Sequence, residues 1–394
     1  MLFHGFSVTP VPSVVFRCAF LVAFLFTASA DACPFCDVVG RPLAVRRDAA
    51  TTVAIGEASG EARDDGGMIL QAFVVRSVLG KDAGAIGETV TARVAGPVDG
   101  TALLLASGEG PDPKSIEAIA ADEMLLGYAL AAPPTEARAA ERLRWFARWL
   151  EHPNRSIAED AFMEFGLAHY DDVVQAADAL DAEKLRRWLD EPAIDQRRRG
   201  FYGLALGIVA ARARARGDRT EADACLGALA AAIAAPADDL RPGYDGLLGG
   251  LLVARGEGAI DAMIDRGLLA SDTRAGDARH ALAALRFAFE FLGKSVPRER
   301  VAGAAARLVA NPAVAAAAIV DLARYEHWQS VEDVAALWKT LGRDDPLVRR
   351  AVAGYLIACP LPQARQRADA IAAASPETWA AAVQAAGLPP RSGT

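Results

Sequence analysis

The sequence predicts an α+β chain of more than one domain, with a small N-terminal β domain followed by a right-handed α-solenoid. Two observations carry this prediction. Between Leu143 and Val209 one helical hairpin is written twice. Arg148-Trp149-Leu150-Glu151-His152-Pro153 with Ala161-Phe162 returns as Arg187-Trp188-Leu189-Asp190-Glu191-Pro192 with Gly200-Phe201. The offset at Trp, Leu, Pro and Phe is 39 residues, a length typical of two-helix units that bury their apolar faces only by stacking. Upstream of the repeat, short β-branched runs alternate with glycine-rich turns instead.

Composition sets the limits. The chain has 394 residues, 53% of them apolar, enough for a large core, and the excess is mostly alanine, the best helix former. Of 42 basic residues only five are lysine, a skew of the kind that a GC-rich coding bias produces. The formal net charge is −8. That acidity argues against general nucleic-acid binding, which needs a basic face to neutralise phosphates.

Residues 1–32 read as a targeting segment. Arg17 precedes an apolar run from Cys18 to Phe26, and Thr27-Ala28-Ser29-Ala30 follows. The run is short for a membrane span, and the pattern is that of a secretory signal peptide. Cleavage after Ala30 or after Ala32 fits equally. A lipoprotein anchor is disfavoured, because Ala30 stands where a lipobox has a large aliphatic residue. No integral membrane segment is expected in the mature chain.

Export would place Cys33-Pro34-Phe35-Cys36 in an oxidising compartment. A thioredoxin-type centre needs a preceding strand and a helix N-terminus, and no strand is expected there. A c-type haem site needs His after the second Cys, and Asp37 stands there. Zinc needs further ligands, whereas Cys225, Cys359, His152, His169, His280 and His327 are scattered. The favoured reading is a local Cys33–Cys36 disulfide pinning the mature N-terminus, with redox or metal chemistry left as the alternative. Cys225 and Cys359, several helices apart, should be buried and unpaired.

Residues 33–132 are read as the β domain, OB-like or sandwich. Its expected strands are Thr51–Gly56, Met68–Val78, Gly87–Val94, Thr101–Ala106 and Met124–Leu130. The cysteine behind the signal, Ile55-Gly56-Glu57, Val74 to Lys81 and Gly87-Glu88-Thr89-Val90 resemble the netrin-module domains that include metalloproteinase inhibitors. The resemblance covers the β domain only, and the further disulfides of those domains have no counterpart here. It implies that Cys33, if it became the mature N-terminus, would chelate a protease's zinc.

Residues 133–385 are read as the solenoid, and 386–394 as a flexible tail. Leu143, Phe146, Ala147 and Leu150 share one helix face, and Ala158, Ala161, Phe162 and Phe165 share the next. Further pairs are expected at 172–190 with 193–210, 220–235 with 242–254, 261–268 with 278–292, and 298–310 with 313–325. Helices at 331–341, 346–358 and 361–385 complete the array. Trp338-Lys339-Thr340-Leu341 followed by Asp344 to Leu356 resembles a HEAT-repeat hairpin. There Asp345-Pro346 matches the inter-helix turn, and Arg349 the arginine usual in its second helix. The array is therefore expected to be HEAT-like but irregular. The whole layout also resembles a set of exported bacterial proteins of unassigned function. They share Ala-Cys-Pro-Phe-Cys after the signal, a β domain and Trp-Leu-Glu/Asp-x-Pro hairpins; here these are Ala32 to Cys36 and the two hairpin copies.

Catalytic signatures are missing from the sequence: there is no Gly-x-Ser-x-Gly, no His-Glu-x-x-His and no phosphate-binding loop. Gly256-Glu257-Gly258 lacks the strand and third glycine of a dinucleotide turn. His152 is expected at a helix end, favoured by the dipole, and His169 at the boundary of the next helix. Trp149, Trp188, Phe162 and Phe201 are expected to form the repeat core. The arginines at 197–199 read first as a solvated, salt-bridged helix face paired with acids such as Asp190, Glu191 or Asp195; Arg197, Arg198 and Tyr202 are otherwise the candidate partner-binding patch, since Arg and aromatic residues are enriched at interface hot spots. The expected function is an exported, non-enzymatic scaffold that binds another protein and uses no cofactor. Thiol-based redox or metal-carrier activity through Cys33 and Cys36, and inhibition of a secreted hydrolase, are the alternatives.

Overall fold

The computed structural model describes residues 35, 40–79, 86–108, 115–236 and 240–387. The segment 1–32, Cys33, Cys36 and residues 388–394 lie outside the described residues, and so do the signal, disulfide and tail expectations placed on them.

The β region is a closed barrel. Its strands are β1 (Thr52–Ala58), β2 (Arg63–Asp65), β3 (Met68–Leu79), β4 (Thr89–Val94), β5 (Thr101–Ser107) and β6 (Ser115–Ala120). Five of them close in the order β1-β3-β4-β6-β5-β1, while β2 only extends the far end of β3. Every pairing is antiparallel except β4 with β6. Alternate residues fill the interior: Ala54, Phe73, Val75, Ala92, Val94, Ala102, Leu104 and Ala118, as a period-two side-chain pattern requires. Gly56 sits where a β-carbon would run into Leu104 and Phe73. The buried Gln71 amide accepts from Val98 N and donates to the Gly60 and Val98 carbonyls, so its polar atoms are satisfied inside the barrel.

Four strands fall where the sequence placed them, and the fifth does not. Met124–Leu130 is not a strand: it lies in helix α2 (Glu123–Ala131), and the last strand is β6. Asp122 caps this helix by accepting from Leu125 N at 2.7 Å. Leu125, Tyr128 and Ala129 then bury one face at helical spacing. An apolar run of this length has no decisive period of its own.

The barrel shares a core with the helices. β5 is buried on both sides: Ala102 and Leu104 point into the barrel, while Leu103 and Leu105 join the core formed with α1 (Leu43–Ala49) and α2. This double burial explains why Thr101–Ala106 reads as a continuous apolar run. Arg46 pairs with Glu117 of β6 at 2.6 Å, and Arg47 donates to the Ala129 and Ala132 carbonyls that end α2.

The helical region continues with α3 (Ala139–Ala147), α4 (Arg155–Gly166), α5 (Tyr170–Ala176), α6 (Ala182–Asp190) and α7 (Arg199–Ala215). Next come α8 (Arg219–Ala234), α9 (Tyr244–Arg255), α10 (Gly258–Asp265), α11 (Ala275–Phe291), α12 (Arg298–Ala306) and α13 (Ala315–Arg324). The last are α14 (Val331–Ala336), α15 (Leu341–Asp344), α16 (Pro346–Ala358), α17 (Pro362–Ala374) and α18 (Pro376–Ala385). The expected helix at 172–190 is broken at Leu180, because Asp181 accepts from Glu183 N and Lys184 N and starts a new helix. The one at 361–385 is broken before Pro376, where proline opens α18. Asp345-Pro346 opens α16, with Asp345 capping it by accepting from Leu347 N, and Arg349 turns back to the Gly342 and Arg343 carbonyls, tying α16 to the turn before it.

Packing follows one scheme. α7, α9, α11, α13, α16 and α18 form a row in which each helix packs on the next, and α6, α8, α10, α12, α14 and α17 back that row. The closest pair is α7 with α9. Gly200, Gly203 and Gly207 face Gly243, Gly246 and Gly250, and the two backbones touch. Phe35 fills the notch beside them: its ring lies over Gly249 and meets Phe287 at 5.0 Å, and its carbonyl abuts Gly200. Phe35 is thus anchored to the helical row.

Candidate functional site

The residues singled out in the sequence divide into two groups. Phe162 and Phe201 are buried and touch across α4 and α7 at 5.9 Å. Trp149 and Trp188 are only half-buried, and their settings differ. Trp149 lies in the turn after α3 against Tyr128, Trp145 and His152, whereas Trp188 is inside α6 against Tyr202. Cys225 and Cys359 are buried and free. His152 does not cap the helix before it; its Nδ1 accepts from Asn154 N at 3.1 Å. His169 stands at the α5 boundary, but its side chain makes no cap bond.

Arg197, Arg198 and Tyr202 do not form one exposed patch. Arg198 and Tyr202 are buried, and both donate to the Glu151 carboxylate, Arg198 at 2.7 Å. Glu151 reaches them from a left-handed turn, φ 53°. Burial next to that carboxylate pushes the Tyr202 phenol well up, so it stays a neutral donor. Only Arg197 faces solvent, and it binds Asp195. The physical reason is tertiary: the turn after α3 carries Glu151 onto the start of α7, 47 residues further along the chain, where an ion pair replaces water.

Two more buried acids stand one helical turn apart at the junction with the barrel. Asp160 of α4 accepts from Leu43 N at 2.6 Å and from Tyr128 Oη at 2.7 Å. Glu164 is held by Arg142 Nη2, 2.7 and 2.8 Å from its two oxygens. Burial raises both carboxyls, Glu164 to about 7. Each carboxylate is matched by donors from another helix, which is the chemistry of a structural tie between α1, α2, α3 and α4. Asp277 with Arg241, and Asp321 with Arg286, tie later helices in the same way.

Further along the row lies a surface feature with the shape of a binding site. Between α13 and α16 runs an open groove of about 760 Å³. Ala316, Ala317, Ala351 and Gly354 line it with small side chains. Val320 and Leu347 also line it and remain 47% and 61% exposed, which is unusual for large apolar side chains on adjacent helices. Arg286, Arg324 and Arg350 stand around it. Asp321, buried among them, accepts from Arg286 at 2.6 Å. Sequence reading missed this groove because its lining comes from α11, α13, α16 and the end of α18. The one local hint was Val320 and Leu347 at positions off the buried stripe. A smaller recess of about 270 Å³ beside α9 has both its guanidinium groups in use, since Arg241 stacks on Tyr244 and binds Asp277 and Arg199 donates to the Leu189 carbonyl.

No known protein family, curated protein or solved structure matches this chain.

Proposed function

We propose that this protein is an exported scaffold whose stacked helices bind another protein. The observation that carries the reading is the row α7-α9-α11-α13-α16-α18, in which Val320 and Leu347 stay uncovered on neighbouring helices. A row of stacked helical hairpins offers an extended surface for a partner. The alternation of row and backing helices, with Asp345-Pro346 and Arg349 at one turn, supports the finer description of the array as a right-handed HEAT-like solenoid. The parallel β4–β6 pair in a closed five-stranded order supports an OB-like barrel. The anchoring of Phe35 supports a local fastening role for the Cys33–Cys36 segment. Membership of the exported proteins that share Ala-Cys-Pro-Phe-Cys, and location in the periplasm or cell envelope, belong to the same proposal. Among the described residues no helix is long and apolar enough to cross a membrane.

The test has two parts. Residues 1–40 fused to a reporter that folds only outside the cytoplasm should give activity, and the fusion without residues 1–32 should not. Cross-linking in the native envelope, followed by purification of the full chain, should recover a discrete protein adduct. A cytoplasmic reporter, or a chain that yields no adduct, would retire the reading.

A further inference from the structure

We infer that the α13–α16 groove is a docking site for an amphipathic helix of another protein, with small and apolar residues on one face and carboxylates on its flanks. The inference rests on the proposed scaffold function and names the chemistry of its partner. Three observations define the occupant.

The first is shape. Ala316, Ala317, Ala351 and Gly354 present almost no side chain, so a helix can approach to the short interaxial distance that small contact residues permit. The same wall already receives one helix. Gly354 of α16 faces Ala386 at the end of α18, and a β-carbon at Gly354 would be in ordinary contact with it at 3.8 Å. The second is apolar surface. Val320 and Leu347 stand exposed at the groove, positioned to pack against apolar residues at i, i+3 or i+4 and i+7 of an incoming helix.

The third is charge. Arg286 is held by the buried Asp321, which leaves Arg324 and Arg350 as exposed cations at the groove. Arg324 approaches Asp321 no closer than 3.9 Å and is 73% exposed. The chain as a whole carries −8, so a cationic, apolar groove departs from its general surface. Carboxylates on the flanks of the incoming helix would meet these guanidinium groups, which steers association and rejects basic helices. Residues 388–394 contain Arg391 and no Asp or Glu, so that segment lacks the complementary charge along its length.

The probe is a labelled helical peptide with Ala and Leu on one face and Glu on both flanks. Its control is the same peptide with Lys at every Glu position. Fluorescence anisotropy with the full chain should show saturable binding of the Glu peptide and at least tenfold weaker binding of the Lys peptide. Raising the salt should weaken the Glu complex. The double substitution Arg324→Glu/Arg350→Glu should leave the melting temperature near that of the parent, because both side chains are exposed. It should weaken the Glu peptide at least tenfold and reverse the preference. Equal binding of both peptides, no saturable binding, or an unchanged preference in the variant would overturn the assignment. A photo-cross-linker at Leu347, or at the exposed Arg365 of α17, separates this failure from that of the scaffold reading. Adducts from the Leu347 position that excess Glu peptide abolishes support the groove, and Leu347 adducts that the peptide leaves unchanged discard it. Adducts from Arg365 alone keep the scaffold and discard the groove, and adducts from neither discard both.

Discussion

Gly207 of α7 lies directly against the main chain of Gly250 in α9. A β-carbon at Gly207 would stand far inside van der Waals contact distance of the Gly250 carbonyl oxygen, and one at Gly250 would meet the Gly203 carbonyl in the same way. The contact of these two helices therefore depends on hydrogen at both positions.

Gly207→Ala and Gly250→Ala should each destabilise the protein by about 2 kcal/mol or more, since backbone must move to admit the methyl group. Gly227→Ala in α8, where a β-carbon meets nothing within 4 Å, should stabilise by about 0.5–1 kcal/mol through helix propensity. Denaturant midpoints of the three variants check the contrast. If all three move in the same direction, the close α7–α9 packing is not present in solution.

Phe35→Ala should cost about 3–5 kcal/mol, as truncation of a buried aromatic does. Its ring is 7% exposed and fills the notch over Gly249 and Phe287. The measurement is chemical denaturation of the full chain. An unchanged midpoint would mean that Phe35 is not anchored to the row.

Stability should fall as the pH rises from about 4.5 to about 7. Burial raises the Glu164 carboxyl from its ordinary 4.5 to about 7. In that window the folded state keeps a proton that the unfolded chain has released, so unfolding is favoured as protons become scarce. Asp160, raised by burial as well, acts in the same direction. Glu164→Gln should flatten the decline by about 1–3 kcal/mol across the window. Melting temperatures of both proteins between pH 4 and 8 test this, and parallel curves would remove Glu164 as a source.

Glu151→Ala should destabilise by about 3–5 kcal/mol, because it leaves the Arg198 guanidinium buried and uncompensated. Tyr202→Phe removes a single donor to the same carboxylate and should cost about 1 kcal/mol. The double variant Glu151→Ala/Arg198→Met should recover part of the loss, since no unpaired charge remains. A double variant as unstable as the sum of its parts would show that the two side chains act independently.

The sequence alone determined most helix limits, and it did so through local chemistry. Asp345-Pro346 starts α16, and the helices expected at 220–235 and 242–254 are α8 (Arg219–Ala234) and α9 (Tyr244–Arg255). Caps, prolines and a 3.6-residue stripe act within a few residues, so they are readable without a partner. The same holds for the four strands marked by β-branched or apolar runs between glycine-rich turns, and for Cys225 and Cys359, buried and unpaired in a helix-rich chain. Tertiary structure decided the rest. Met124–Leu130 is helical because Asp122 caps it and Asp160, far along the chain, holds Tyr128. Arg198 and Tyr202 are internal because Glu151 of the preceding hairpin lies above them. The glycines of α7 and α9, the seat of Phe35 and the groove between α13 and α16 each need a facing element whose identity no local pattern encodes. Burial, pairing and close approach are relations between distant segments, and the fold alone supplies the second member of each.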